Sequence, residues 1–360
     1  MAGRKWLHVV LGVALGAFLV WFLFRGTDWR AVWGSIRRVR LGWILLGQAL
    51  IWVTFFTRIQ RWSYIVRAGD SASFRHMFSA TQIGFLGNFT LPGRIGEVVR
   101  AVVLSRLTRI SFSKSLAMVA LDRVTDLIGL VAVMLVSVIA FRPAKDIVLP
   151  PQLYANPIPA DLIRTGAMGA AVFLLAVVGA LVMLYTNQKL VLRLSDKCLG
   201  LLSARLARGV HGLLEQFAEG LHVFRSASDM TKSIFFSLVT WALFVLIYAA
   251  IMSAFRLSYP WYAPFVVTSA VAVVLAAPGS PGFVGQFHLG LIIGAAISVP
   301  GLSVNDAKAM AILTHILTLI PIVIAGVFCL VWEDLRIASL FRISSGDEGD
   351  RDRHGTDTIR

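Results

Sequence analysis

Six long apolar runs decide what this chain can fold into: Trp6 to Phe24, Leu41 to Phe56, Leu127 to Phe141, Ile163 to Tyr185, Ser233 to Phe255 and Ala309 to Trp332. About 20 helical residues cross the hydrocarbon of a bilayer, and most of these runs qualify outright. The Leu41 run is short and needs flanking residues such as Thr57 to complete it. In hydrocarbon every backbone polar group must bond internally, so runs this long and apolar are helices. Charged residues are 15% of the chain against 57% apolar, where soluble domains average about 25% charged. The expectation is an all-α polytopic membrane protein with about six full transmembrane helices.

The first run follows Arg4 and Lys5 as a signal peptide would, but it has no small-residue cleavage pattern and ends in Trp21-Phe22-Leu23-Phe24-Arg25. It reads as a retained helix. Cys198 and Cys329 are far apart and give neither a disulfide framework nor metal spacing. The net charge of +15 comes from basic residues that punctuate the hydrophobic spans instead of forming one interleaved patch. That pattern points to anionic lipid headgroups and not to nucleic acid.

Loop charge sets the orientation. Lys189 to Lys232 holds seven Lys/Arg and Arg58 to Lys114 holds nine, whereas Arg142 to Asp161 holds two, with four prolines between Pro143 and Pro157. Both termini are therefore expected in the cytosol. One loop dissents: Arg25 to Arg40 carries five Arg yet falls outside in this scheme. Residues 336–360 carry five Arg and five Asp/Glu among polar residues and are expected to form a disordered cytoplasmic tail.

Two further apolar regions are each broken by one pattern, Leu91-Pro92-Gly93-Arg94-Ile95-Gly96-Glu97 and Ser280-Pro281-Gly282-Phe283-Val284-Gly285-Gln286, offset by 189 positions. The same offset places the Leu41 span on the Met230–Leu246 region and Asp126 on His315. Proline and glycine cost about 3 and 1 kcal/mol in a helix interior, and such a break within a bilayer must be buried in protein or line a cavity. The breaks at Pro92, Gly93, Gly96 and at Pro281, Gly282, Gly285 thus read as tips of two re-entrant hairpins, residues 74–107 and 262–298. Their mouths fall on opposite sides of the membrane, so the chain reads as an inverted repeat. The first membrane repeat is 1–142; the second is 143–335 and includes a cytoplasmic amphipathic segment, 187–232. Substrate sites of secondary transporters form at such interrupted helices.

Arg94, Glu97 and Arg100 are three apart and share a face of the helix after the first break. Asp122 and Asp126 are four apart and share another, with Arg123 turned about 100° away. A charge at membrane depth costs at least about 2.5–3.5 kcal/mol. Either these groups neutralise one another, Glu97 with Arg94 or Arg100 and the aspartates with an opposing Arg, or the arginines and the free amides after the break hold an anionic group. The second hairpin offers only Gln286 and His288, with His315 on the next span; such histidines are more often hydrogen-bonded interior residues than proton carriers. Asn88 and Thr90 are placed to satisfy backbone groups freed by the break, with headgroup contact as their other role. No serine-hydrolase elbow, zinc-protease motif or phosphate-binding loop occurs, so neither an enzyme activity nor a cofactor or metal is expected.

Residues Asn88 through Arg100, followed by Asp122-Arg123-Val124-Thr125-Asp126, resemble the lysylphosphatidylglycerol synthase transmembrane-region family. So does Pro278-Gly279-Ser280-Pro281-Gly282-Phe283-Val284-Gly285-Gln286-Phe287. The resemblance covers about residues 5–335. It implies a flippase-like protein of the bacterial cytoplasmic membrane that moves a lipid between leaflets. The chain ends within 25 residues of Leu335, so a separate lipid synthase is a possible partner. Family members often carry a Glu shortly after the second motif, where this chain has Phe287-His288. A membrane-embedded lipid-modifying or glycosyltransferase subunit, with Glu97 and Asp122/Asp126 as acid and base, and a non-transporting scaffold for a partner synthase are the alternatives.

Overall fold

The computed structural model describes residues 2–69, 71–90, 95–143, 146, 156–200, 203, 211, 227–277 and 279–335. Those residues form an all-helical fold. In chain order they are α1 (Ala2–Phe24), α2 (Trp29–Arg37), α3 (Leu41–Gly69), α4 (Phe74–Thr90), α5 (Gly96–Leu107), α6 (Phe112–Ala140), α7 (Ala160–Thr186), α8 (Gln188–Gly200), α9 (Ala227–Ala254), α10 (Ala263–Ala276), α11 (Gln286–Ser298) and α12 (Val304–Trp332). A single 3-10 turn, Pro281–Phe283, precedes α11. The expected tail 336–360, most of 187–232 beyond α8, and Pro92, Gly93 and Arg94 lie outside the described residues.

Among the described residues six helical stretches are long and apolar enough to cross a membrane: Leu41–Arg67, Phe112–Ala140, Ala160–Leu184, Ser228–Ala254, Pro281–Ser298 and Val304–Trp332. Five coincide with spans expected from sequence. The sixth contains the second break, and its continuous α-helical part has 13 residues, about 20 Å at 1.5 Å each. That is too short to cross alone.

Two spans are longer than their apolar runs. Helix α3 continues through Arg58 and Arg61 to Gly69, and α6 begins at Phe112, so Asp122, Arg123 and Asp126 sit inside it. The loop tally had counted Arg58 and Arg61 as cytoplasmic flank. The helices tolerate Arg61, Asp122, Arg123 and Asp126 at depth because these charges find partners on one another, a pairing invisible in a one-dimensional tally. Ser111 and Ser303 start α6 and α12, their hydroxyls accepting from Lys114 N at 3.4 Å and Asp306 N at 3.0 Å. Each satisfies one of the first-turn amides that a helix cannot bond internally.

Both broken regions fold back as antiparallel helix pairs. A Cβ on Gly96 would lie 2.1 Å from the Gly84 carbonyl oxygen, so α4 and α5 touch backbone to backbone. Gly290 and Gly294 of α11 pack on Val271 and Val267 of α10 in the same antiparallel sense. Helices α3 and α9 are antiparallel partners: Arg40 N donates to Ala254 O at 2.9 Å, Thr240 Oγ1 to Thr57 Oγ1 at 2.8 Å, and Tyr64 stacks on Phe236. Helix α6 packs on α10, where Ser137 and Ser269 hydroxyls meet at 2.8 Å. Helix α12 packs on α4, where Arg75 Nε and Ser79 Oγ donate to Glu333 Oε1 at 3.0 and 2.8 Å. Partial burial raises the Glu333 carboxyl, but the hydrogen bonds from Arg75 and Ser79 outweigh it and hold the group below its ordinary range.

The end of α4 meets the second break. Phe89, at the end of α4, lies edge-on to Phe283 at 5.9 Å between ring centroids. Among the described residues the apolar packing has three clusters, one around Ile59, Trp62, Leu104 and Met118, one around Phe55, Ile251, Val267 and Leu291, and a small one of Val133, Trp241 and Val245.

Candidate functional site

Asp126 stands at the centre of the 29-residue α6, roughly 21 Å along it from Phe112 at 1.5 Å per residue. Around it α3, α5, α6 and α9 bring together a cluster of charges. Arg61 Nε donates to Asp122 Oδ1 at 2.8 Å, and Arg61 Nη1 also pairs with Asp126. Arg100 Nη1 donates to Asp122 Oδ2 at 2.7 Å and its guanidinium lies 3.6 Å over the Trp62 ring. Trp241 Nε1 donates to Asp126 Oδ1 at 3.1 Å. Arg61, Arg100 and Asp122 are buried.

Arg123 forms the outer edge. It lies 3.6 Å from Glu97, 3.4 Å from Asp122 and 3.5 Å from Asp126. Two readings of the residues are corrected here. Arg123 is not turned away from the aspartates: its long side chain swings back across the helix surface to reach both. Among the described residues Glu97 pairs with Arg123 and not with Arg100, whose guanidinium is taken by Asp122 on the neighbouring helix; Arg94, the other expected partner of Glu97, lies outside the described residues.

Reading the residues missed three members: Arg58, Arg61 and Trp241. The signal for the arginines was present, since 58 and 61 are three apart on one face. Seeing it required continuing the helix past Phe56. Trp241 carries no signal of its own in an apolar run.

Arg58 differs from the other arginines. Its guanidinium lies 5.0 Å from the ring centroids of both Phe85 on α4 and Phe244 on α9. Its Nε is buried without a hydrogen-bond partner, and among the described residues it makes no ion pair. Cation–π contacts contribute about 0.5–1 kcal/mol each, or about 2 when desolvated. A guanidinium at mid-membrane costs at least about 2.5–3.5 kcal/mol on the most lenient scale and several times that on others. The rings offset only part of that cost. Arg100 Nε and Nη2 and Arg123 Nε are also buried without partners. Donors therefore exceed acceptors in this cluster: four arginines face three carboxylates among the described residues.

The remaining candidates sit at the breaks. Asn88 Oδ1 accepts from Gly96 N at 2.9 Å and Thr90 Oγ1 donates to Leu86 O at 2.9 Å, so both satisfy backbone groups at the first break. Gln286 does the same for the second, its Oε1 accepting from Ser280 N at 3.2 Å. Gly285 there has φ +85 and Gly282 φ +65, and Pro281 opens the turn. His315 and the Gly282 carbonyl oxygen are 2.9 Å apart, so Nε2 carries the proton and donates. Gly285 N donates to His288 Nδ1 at 3.3 Å. The two imidazoles meet edge to face at 4.8 Å, walled by Phe24, Phe89 and Phe287. Among the described residues no hydrogen bond or ion pair joins Gln286, His288 or His315 to the charged cluster. The predicted residues thus divide into an ion-pair centre on the first half and an aromatic, hydrogen-bonded centre on the second.

Among the described residues no three His, Cys, Asp or Glu side chains are grouped to hold a metal ion. A family model described as "Lysylphosphatidylglycerol synthase TM region" matches residues 9–326. No curated protein matches the chain.

Proposed function

Because this chain belongs to the lysylphosphatidylglycerol synthase TM region family, whose membrane domain points to a lipid-related role, we propose that it is a translocase moving an anionic-headgroup lipid between leaflets. The observation that carries the reading is the donor-rich charged cluster at the middle of α6, beside a broken hairpin. Charge is expensive at that depth, and a cluster with more donors than acceptors has chemistry for a visiting anion.

The helix arrangement supports the same reading. Each of α3, α4, α5 and α6 has a counterpart about 189 residues later in α9, α10, α11 and α12. The counterparts α3 and α9 run antiparallel, as an inverted repeat requires. Alternating access in such folds rocks one repeat against the other around a site at the interrupted helices. In this reading both termini are cytoplasmic, the protein resides in the bacterial inner membrane, and the α4–α5 and α10–α11 hairpins open to opposite sides. Of the carboxylates that an acid–base enzyme would use, Asp122 and Asp126 are each held by more than one donor, which leaves Glu97, paired with Arg123, as the one with fewer partners and favours transport over lipid chemistry.

The test uses purified protein in liposomes. Exchange of labelled anionic phospholipid between leaflets, without change in lipid mass, is the expected result. A changed lipid mass would replace transport by an enzyme activity, and neither change would leave the scaffold role. Labelling of a cysteine at Asn156 but not at Ser344 in intact cells is expected from the orientation; the reverse pattern would overturn it.

A further inference from the structure

We propose that Arg58 is the phosphate-docking residue of this protein and that its ligand is the phosphodiester of a phospholipid headgroup. The assignment rests on the translocase reading and sharpens it. It separates one ligand-binding arginine from three that hold the fold.

Arg61, Arg100 and Arg123 are committed. Asp122 receives from all three, and Asp126 from Arg61, Arg123 and the Trp241 indole. A lipid phosphate competing for them would have to break pairs already made. Among the described residues Arg58 has no hydrogen bond or ion pair to break, only its contacts with two rings. Its Nε is buried without a partner, and among the described residues it touches no carboxylate. It sits one helical turn before Arg61 on α3, held by Phe85 of α4 and Phe244 of α9. One ring belongs to the first hairpin and the other to the second half, so the free guanidinium lies where the two halves meet.

Ligand class follows from depth and geometry. The side chain lies about 16 Å from the Gly69 end of α3 at 1.5 Å per residue, near half the roughly 30 Å hydrocarbon thickness. A free ion has no reason to stop there, whereas the headgroup of an amphiphile in transit does. The guanidinium fork matches two phosphate oxygens, and Arg58 Nε, buried without a partner, is a donor ready for one of them. Phe85 and Phe244 flank the fork with apolar surface suited to the glycerol and acyl part.

Wild type and Arg58→Gln are reconstituted in nanodiscs of phosphatidylcholine doped with phosphatidylglycerol, extracted, and the retained lipid is counted by native mass spectrometry. Wild type is expected to retain phosphatidylglycerol over phosphatidylcholine, and Arg58→Gln to lose that retention by roughly tenfold or more, as the loss of a charge-assisted pair implies. Arg58→Lys, which keeps the charge without the fork, falls between. Arg58→Gln should also melt no lower than wild type, because no carboxylate loses a partner. Unchanged retention in Arg58→Gln, or a melting loss like that of Arg61→Gln, would overturn the assignment. Displacement of the lipid by millimolar inorganic phosphate would move the ligand from lipid to free anion and overturn it too. Wild type that retains lipid through Arg58 yet shows no leaflet exchange keeps the docking site and removes the translocase reading. Undiminished exchange in Arg58→Gln does the reverse.

Discussion

The indole Nε1 of Trp241 donates to Asp126 Oδ1 at 3.1 Å, joining residues 115 apart in sequence and belonging to opposite halves of the chain. The contact is tight because α6 offers a glycine beside it: a Cβ on Gly129 would lie 2.2 Å from Trp241 Cδ1 and 2.9 Å from Ser237 O.

Gly129→Ala is therefore expected to push α6 and α9 apart at the level of Asp126. Overpacking of this kind costs roughly 1–3 kcal/mol, despite alanine's better helix propensity. Trp241→Phe keeps most of the ring and loses the hydrogen bond, so it should cost less. Thermal unfolding of purified protein, followed by fluorescence, checks the order. A Gly129→Ala variant as stable as wild type would show that the helices separate freely there.

Asp122 receives from Arg61 and Arg100, so Asp122→Asn strands two buried cations while Arg100→Gln removes only one of several donors. Breaking a buried pair costs about 3–5 kcal/mol, whereas removing both partners often costs little. We expect Asp122→Asn to give the lowest yield of monodisperse protein in the cluster, and Arg61→Gln/Asp122→Asn to recover part of it. No recovery in the double variant would mean that the pair itself, and not the stranded charge, holds the helices.

Gly285 adopts φ +85, and a Cβ there would lie 2.6 Å from Leu19 Cβ of α1. Gly282 has φ +65 but its Cβ would meet nothing closer than Phe89 Cδ1 at 3.4 Å. An L-residue pays roughly 1–2 kcal/mol for left-handed backbone; Gly285→Ala adds the clash with α1. The expected order of damage to stability and lipid exchange is Gly285→Ala above Gly282→Ala. The opposite order would place the critical contact on Phe89.

The tie between α4 and α12 is pH-dependent. Glu333 is depressed below its ordinary value of 4.5 by Arg75 and Ser79, with His76 also facing it. Its folded pKa lies below the unfolded one, so the tie contributes stability at neutral pH and loses it as the pH falls through the depressed value. Arg75 is half exposed, and screening limits the contribution to under about 1 kcal/mol. The melting difference between wild type and Glu333→Gln should be present at pH 7 and close in acid. A difference that persists there would locate the effect in packing.

Five of the spans and the interruption of both broken regions were legible because a bilayer enforces length and backbone satisfaction, which sequence carries directly. Asn88 was legible as a support for the break for the same reason. The partners of the charges were not. Arg61 reads as cytoplasmic flank until Asp122 and Asp126 are placed opposite it, 61 and 65 residues on. Glu97 looks served by Arg100 on its own helix, yet among the described residues its pairing goes across to Arg123 on α6. Spacing on one helix reports which charges share a face; it does not report which face of another helix arrives.

That arrangement has a consequence for the order of synthesis. Helix α3 emerges from the ribosome with Arg58 and Arg61 unneutralised, and the aspartates that match Arg61 follow only with α6. The rings around Arg58 come later still, one with α4 and the other with α9. Each arginine costs about 2.5–3.5 kcal/mol if the span enters lipid alone. The energetically favoured course is for α3 to remain against the insertion machinery, or shallow in the membrane, until α6 is made, and for the whole centre to close only when the second half arrives. A chain arrested between α6 and α9 would hold Arg61 matched and Arg58 half enclosed.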